Sequence, residues 1–171
     1  MHLADPVLLM LAFPRHITFL AKEELFRMPF VGTIMRHGGM FPVARTGAMQ
    51  QKRDVMRQAE NLLEEGCVLA LFPEGKRSPS GVLLPAKPGA AALSLHSGAP
   101  IIPVAIVGTE QIAGRWWWLK RPRVTVTIGV AFHLTSSTER LGRSEAARLT
   151  GELMQHIAQL LPPERRGPYA D

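Results

Sequence analysis

The chain has 171 residues, a formal net charge of +6 and one cysteine, a length that suits a single domain with a sizeable core. One cysteine excludes an internal disulfide and a Cys-rich zinc centre, and the six histidines show no HExxH spacing, so no metal or other cofactor is expected. The basic balance favours a nucleic acid, an anionic bilayer or a phosphorylated small molecule as partner, without choosing among them.

Asp5 and Pro6 open a predicted helix, with Asp5 as N-cap and Pro6 in the first turn, and Pro14 ends it. Its apolar stretch, residues 7–13, is far short of the roughly 20 residues a membrane span needs. It also lies too near Met1 to carry the basic leader of a signal peptide, so the expected location is cytoplasmic, peripheral on a membrane if bound at all. Residues 16–21 read as a strand, 23–27 and 30–37 as a helix pair broken at Pro29 and stopped by Gly38 and Gly39, and 40–44 as a short strand. Val55, Met56, Ala59, Leu62 and Leu63 recur at helical spacing within residues 48–65, and Gly66 supplies the stop.

The run Cys67-Val68-Leu69-Ala70-Leu71-Phe72 is continuously apolar, as in a strand covered on both faces, and Pro73 has no amide hydrogen with which to continue a ladder. Cys67 reads there as a core residue. A small-residue helix follows over 89–97, ended by Gly98, then a buried strand over 101–107 and an alternating, half-exposed strand over 124–130. Ala146, Leu149, Leu153, Ile157 and Leu160 form one apolar helical stripe before Pro162 and Pro163. Strands alternating with helices predict an α/β layered domain, with a largely parallel central sheet flanked by helices.

The most informative stretch is Leu71-Phe72-Pro73-Glu74-Gly75-Lys76-Arg77-Ser78. It puts a carboxylate, a glycine and two cations at the carboxyl end of a strand, where open α/β sheets bind ligands. Phe-Pro-Glu-Gly-x-Arg-Ser resembles the third sequence block of the glycerolipid acyltransferases, the family of lysophosphatidic acid acyltransferase. Gly39-Met40-Phe41-Pro42-Val43-Ala44-Arg45 is similar to the second block. Ala99-Pro100-Ile101-Ile102-Pro103-Val104-Ala105-Ile106 is similar to the fourth, and Lys87-Pro88-Gly89 to a Lys-x-Gly element between them. The resemblance is strongest over residues 5–110. It implies the same fold and the transfer of a fatty acyl group, from acyl-CoA or acyl carrier protein, to the hydroxyl of a lysophospholipid or glycerol phosphate. The contrasting expectation is a non-catalytic lipid- or membrane-binding module that retains the phosphate site.

Transfer to a hydroxyl needs a general base, for which histidine suits, and a carboxylate can fix its tautomer. The resemblance assigns these roles to a first block, His-x-x-x-x-Asp. Here the chain opens Met1-His2-Leu3-Ala4-Asp5-Pro6, so His2 is three residues before Asp5 and not five. Either His2 is the base of a contracted block, or Asp5 is the family aspartate and its histidine falls one place before Met1. The ungapped register from Asp5 to Leu25 favours the second reading, under which the chain is N-terminally truncated and impaired. Arg45, Arg77 and Lys87 are the candidates for an acceptor phosphate, because charge-assisted donors suit its oxygens and Lys87 precedes a helix with free N-terminal amides. Glu74 is expected to orient Arg77 or brace the turn, and Gly75 to supply a backbone conformation closed to other residues. Lys76 stands where the family more often has threonine.

Arg115-Trp116-Trp117-Trp118-Leu119-Lys120-Arg121-Pro122-Arg123 gathers all three tryptophans among four cations. Tryptophan favours the headgroup zone and the cations favour anionic lipid, so an anionic membrane surface is an expected partner, alongside the alternative that these rings pack on the domain surface. Nothing resembles a nucleic-acid-binding module, and nucleic acid is not expected as a partner.

Overall fold

Local stop signals fix the helices, and pairing between distant strands fixes the rest. The computed structural model describes residues 5–22, 26–27, 40–43, 49–76, 78–112, 123–137 and 141–170. The predicted helix pair over 23–37 lies almost wholly outside these residues, as do His2, Arg45, Arg77 and the tryptophan segment. In chain order the elements are α1 (Asp5–Ala12), β1 (Ile17–Lys22), β2 (Met40–Val43), α2 (Met49–Glu64), β3 (Val68–Ala70), α3 (Gly89–Ser97), β4 (Val104–Val107), β5 (Thr125–Ile128) and α4 (Arg143–Gln159). Three-residue 3₁₀ turns occur at Thr109–Gln111, Pro163–Arg165 and Gly167–Tyr169. Asp5 is the first described residue of α1.

The chain divides into two compact units, Phe13–Leu71 and a second made of Met1–Ala12 with Phe72–Asp171. In the first, β1 pairs in parallel with both neighbours, giving the strand order β2-β1-β3. Ile17, Thr18 and Phe19 of β1 are buried, with Ala59 and Leu62 of α2. These last two belong to the apolar stripe that the sequence shows. Gly66 ends α2 with φ +80°. Its amide bonds the Leu63 carbonyl at 3.0 Å and the Cys67 amide bonds that of Leu62 at 3.0 Å. That pair of bonds is the Schellman arrangement, open to glycine because it has no Cβ to clash.

Two expectations about the following strand need correction. The ladder holds only Val68–Ala70, and all three residues are half-buried, not covered on both faces. Cys67 is also half-buried and stands ahead of the strand, its amide engaged in the helix stop. The cause is the register: β3 meets β1 only from Ile17 to Phe19, so Leu71 and Phe72 leave the ladder before Pro73 is reached.

In the second unit β4 and β5 pair antiparallel, Val104 opposite Ile128 and Val107 opposite Thr125. Of the strand predicted over 101–107, the first part is a single bridge from Ile101 to Phe132, and only Ala105 of β4 is buried. Helices α3 and α4 pack together. Their core gathers Ala91, Leu134, Leu149, Leu153 and Met154, with Leu83, Ala86, Ile157 and Tyr169 packed around it. The buried face of α4 is turned from the predicted stripe: Leu149 and Leu153 are buried as expected, but so are Met154 and Ala158, while Ala146, Ile157 and Leu160 are only half-buried. Gly98 ends α3 with φ +68°, as its position in the sequence predicts.

At the start of α4, Glu145 accepts hydrogen bonds from the Ser136 hydroxyl at 3.1 Å, the Ser137 amide at 3.1 Å and Arg148 Nη2 at 2.9 Å. Arg148 foremost, then the Ser137 amide, hold its carboxyl down from 4.5 to about 2. A carboxylate depressed in the folded state stabilises fully above its unfolded pKa and loses that stabilisation as pH falls toward its folded one. Glu145→Gln is therefore expected to lower the melting temperature near neutral pH. The gap from wild type should close as the pH is taken from 4.5 to about 2, a trend that thermal melts across this window measure directly.

Candidate functional site

The chain after β3 folds back at Phe72-Pro73-Glu74-Gly75, where the Gly75 amide bonds the Phe72 carbonyl at 3.1 Å. Proline suits the second position of such a turn because its ring pre-sets φ. Gly75 has φ +66°, in the left-handed region that a side chain disfavours. A Cβ built on it would stand 3.1 Å from Cε of Lys87 and 3.2 Å from its Cδ and Nζ. The end of the Lys87 side chain therefore lies against the turn, although Lys87 follows Gly75 by twelve positions in the sequence. The Lys87 amide bonds the Pro73 carbonyl at 2.9 Å, which anchors the base of that side chain to the same turn.

Glu74 points its Oε2 at the Leu84 amide, 2.9 Å away. Ser78 is buried and donates its hydroxyl to the Val82 carbonyl at 2.6 Å. Pro88 then leads into α3, whose first turn no side chain caps. The unused amides of a helix start carry partial positive charge. An exposed ammonium and a helix N-terminus thus follow one another directly, next to a turn stiffened by proline and glycine.

Of the residues singled out by sequence, contacts join Glu74, Gly75 and Lys87 through the turn and the 82–87 loop. Asp5 belongs to the same unit, is only 3% exposed, and sits at the start of α1, which packs against β5. His2, Arg45 and Arg77 lie outside the described residues. In the first unit the register adds a residue that sequence spacing did not bring out: Lys22 closes β1 level with Val43, the last residue of β2. It is thereby at the carboxyl edge of the parallel ladder, the edge at which such sheets bind ligands. No helix among the described residues is long and apolar enough to cross a membrane.

The chain is similar to known proteins in sequence and in fold. Residues 1–107 match the family model described as Acyltransferase. The chain is 31% identical over 103 residues to a chloroplastic 1-acyl-sn-glycerol-3-phosphate acyltransferase of Brassica napus, covering 60% of this chain and 30% of that protein. It is 27% identical over 150 residues to the 1-acyl-sn-glycerol-3-phosphate acyltransferase of Pseudomonas aeruginosa, covering 85% and 56%. The chain thus spans between about a third and just over half of these relatives' lengths. Among solved structures, the 1-acyl-sn-glycerophosphate acyltransferase PlsC of Thermotoga maritima superposes with a TM-score of 0.65 at 25% identity, over 93% of this chain and 61% of that one.

Gly75→Ala separates the two roles of this glycine. A side chain in the left-handed region costs about 1–2 kcal/mol, and denaturant titration is expected to show a loss of that size. In the double variant Gly75→Ala/Lys87→Ala most of the loss should remain, because removing the lysine frees space without relaxing the positive φ. Full recovery in the double variant would mean that crowding by Lys87, and not backbone conformation, is what the glycine avoids.

Proposed function

This chain belongs to the acyltransferase family, and from that premise we propose that it transfers a fatty acyl group from a thioester to the free hydroxyl of a phosphate-bearing lysolipid or glycerol phosphate. The observation that carries the reading is the convergence of Lys87, the Phe72–Gly75 turn and the uncapped start of α3. Such a site suits an anion with several oxygens, because an ammonium supplies charge and helix amides supply oriented donors. A phosphate is such an anion, and both relatives named above carry it in the substrate of their names, 1-acyl-sn-glycerol-3-phosphate.

In the proposed reaction the acceptor's hydroxyl oxygen attacks the thioester carbonyl carbon. The hydroxyl proton passes to an imidazole, the new ester C–O bond forms, the C–S bond breaks, and the thiol carrier departs with a proton. Asp5, buried in the first turn of α1, is the carboxylate that would fix the imidazole's tautomer and stabilise its charged form. The imidazole itself is assigned to the residues ahead of Asp5. Arg77 and Arg45 are assigned with Lys87 to the acceptor phosphate, and Glu74 to holding the turn through its bond to Leu84. The carrier is coenzyme A or acyl carrier protein, and the surface on which the acceptor is met is an anionic membrane.

Arg77→Ala tests this most simply. Losing a charge-assisted contact to the phosphate is expected to cost about 1.5–3 kcal/mol, or roughly 10- to 150-fold in kcat/KM for lysophosphatidic acid. Thiol release from acyl-CoA, followed in the presence of lysophosphatidic acid, measures it, and circular dichroism checks that the variant is folded. A folded variant with wild-type kcat/KM would remove Arg77 from the site. No thiol release above the protein-free rate, with lysophosphatidic acid still bound, would favour a lipid-binding role instead.

A further inference from the structure

Residues 82–87 form neither helix nor strand, so their amides have no ladder to enter and each needs a separate acceptor. Each has one, apart from Pro85, which has no amide hydrogen. The Val82 amide bonds the Ser80 hydroxyl at 3.4 Å. The Leu84 and Lys87 amides go to the turn, at Glu74 Oε2 and the Pro73 carbonyl, both 2.9 Å. The Leu83 and Ala86 amides go to the end of the chain, at the Arg165 carbonyl, 2.9 Å, and the Tyr169 hydroxyl, 3.1 Å. The loop is thus held alternately by the turn and by the tail that follows α4.

The tail is itself fixed where it meets the loop. Arg165 Nη2 bonds Glu110 Oε1 at 2.6 Å, and both side chains are about three-quarters buried. That pair lies against Gly81, where an added Cβ would stand 2.6 Å from Arg165 Nη1. At Gly167, with φ +54°, an added Cβ would collide with the Leu83 carbonyl oxygen, so only glycine lets the tail approach this closely. The Tyr169 ring packs against the core formed by α3 and α4, which aims its hydroxyl at Ala86.

We propose that the tail segment Arg165–Tyr169 is a positioning element for the phosphate site: it sets the 82–87 loop, and through that loop the placement of Lys87 against Gly75. Arg165 and Tyr169 touch no reacting atom. They act through the loop backbone, and the inference rests on the reading of Lys87 as a phosphate ligand.

The test measures the Lys87 amine itself, with no turnover required. Acetylation of Lys87 by an amine-reactive ester is followed by peptide mass spectrometry, while a short-chain lysophosphatidic acid is titrated in. In the wild-type protein the lipid is expected to slow acetylation. Tyr169→Phe keeps the ring and removes only the hydroxyl, and Arg165→Gln breaks the pair with Glu110. Each is expected to raise the half-protecting concentration about fivefold or more, the size of one lost hydrogen bond. Glu145→Gln, which weakens the same unit away from the loop, should leave that concentration unchanged. Wild-type protection in both tail variants, or an equal shift in Glu145→Gln, would overturn the positioning role while leaving the phosphate reading standing. Absence of protection in the wild-type protein would overturn both.

Discussion

The loop at residues 82–87 is the constraint on which the described site depends. An irregular segment of chain must find an acceptor for each amide or lose the stability that an unmet buried donor costs, about 1–3 kcal/mol per group. Here the acceptors come from two directions, the Phe72–Gly75 turn on one side and the Arg165–Tyr169 tail on the other. The loop therefore transmits position between them. At its end the Lys87 amide is tied to Pro73 and the Lys87 side chain is laid against Gly75, and α3 begins two residues later. The placing of the cation, the turn and the helix start is one event.

Sequence made the local parts of this arrangement legible. Gly66 and Gly98 stop their helices as their positions predict, because a left-handed stop needs only the few residues around it. The parallel sheet and the α/β class also follow from the alternation of elements. The pairing of β4 with β5 did not follow, since an alternating pattern identifies a strand without naming its partner. Apolar continuity over 67–72 overstated β3, because register against β1, and not hydrophobicity, set its length.

The same division holds for the site. The motif around Glu74 and Gly75 stands out by composition, and Lys87 by its place before a helix. That the lysine folds back onto the glycine follows from the bond between its own amide and Pro73, a contact no spacing rule encodes. The contribution of Tyr169 is still further from sequence, since its partner Ala86 is 83 residues away. Pro162 and Pro163 read only as the end of a helix, yet the chain beyond them returns to the loop that precedes α3. Lys22 emerged from the register of β1 and β2, which places it at the carboxyl edge of the ladder.

The chemical account makes phosphate the feature by which an acceptor is chosen, with the acyl chain and glycerol backbone following. One comparison bears on it most directly. The rate of thiol release from acyl-CoA is measured with this protein for lysophosphatidic acid and for a monoacylglycerol of the same chain, identical except for the missing phosphate. The account predicts a kcat/KM for the phosphate-free acceptor lower by at least about tenfold, the size of one charge-assisted contact. Equal values for the two acceptors would contradict it.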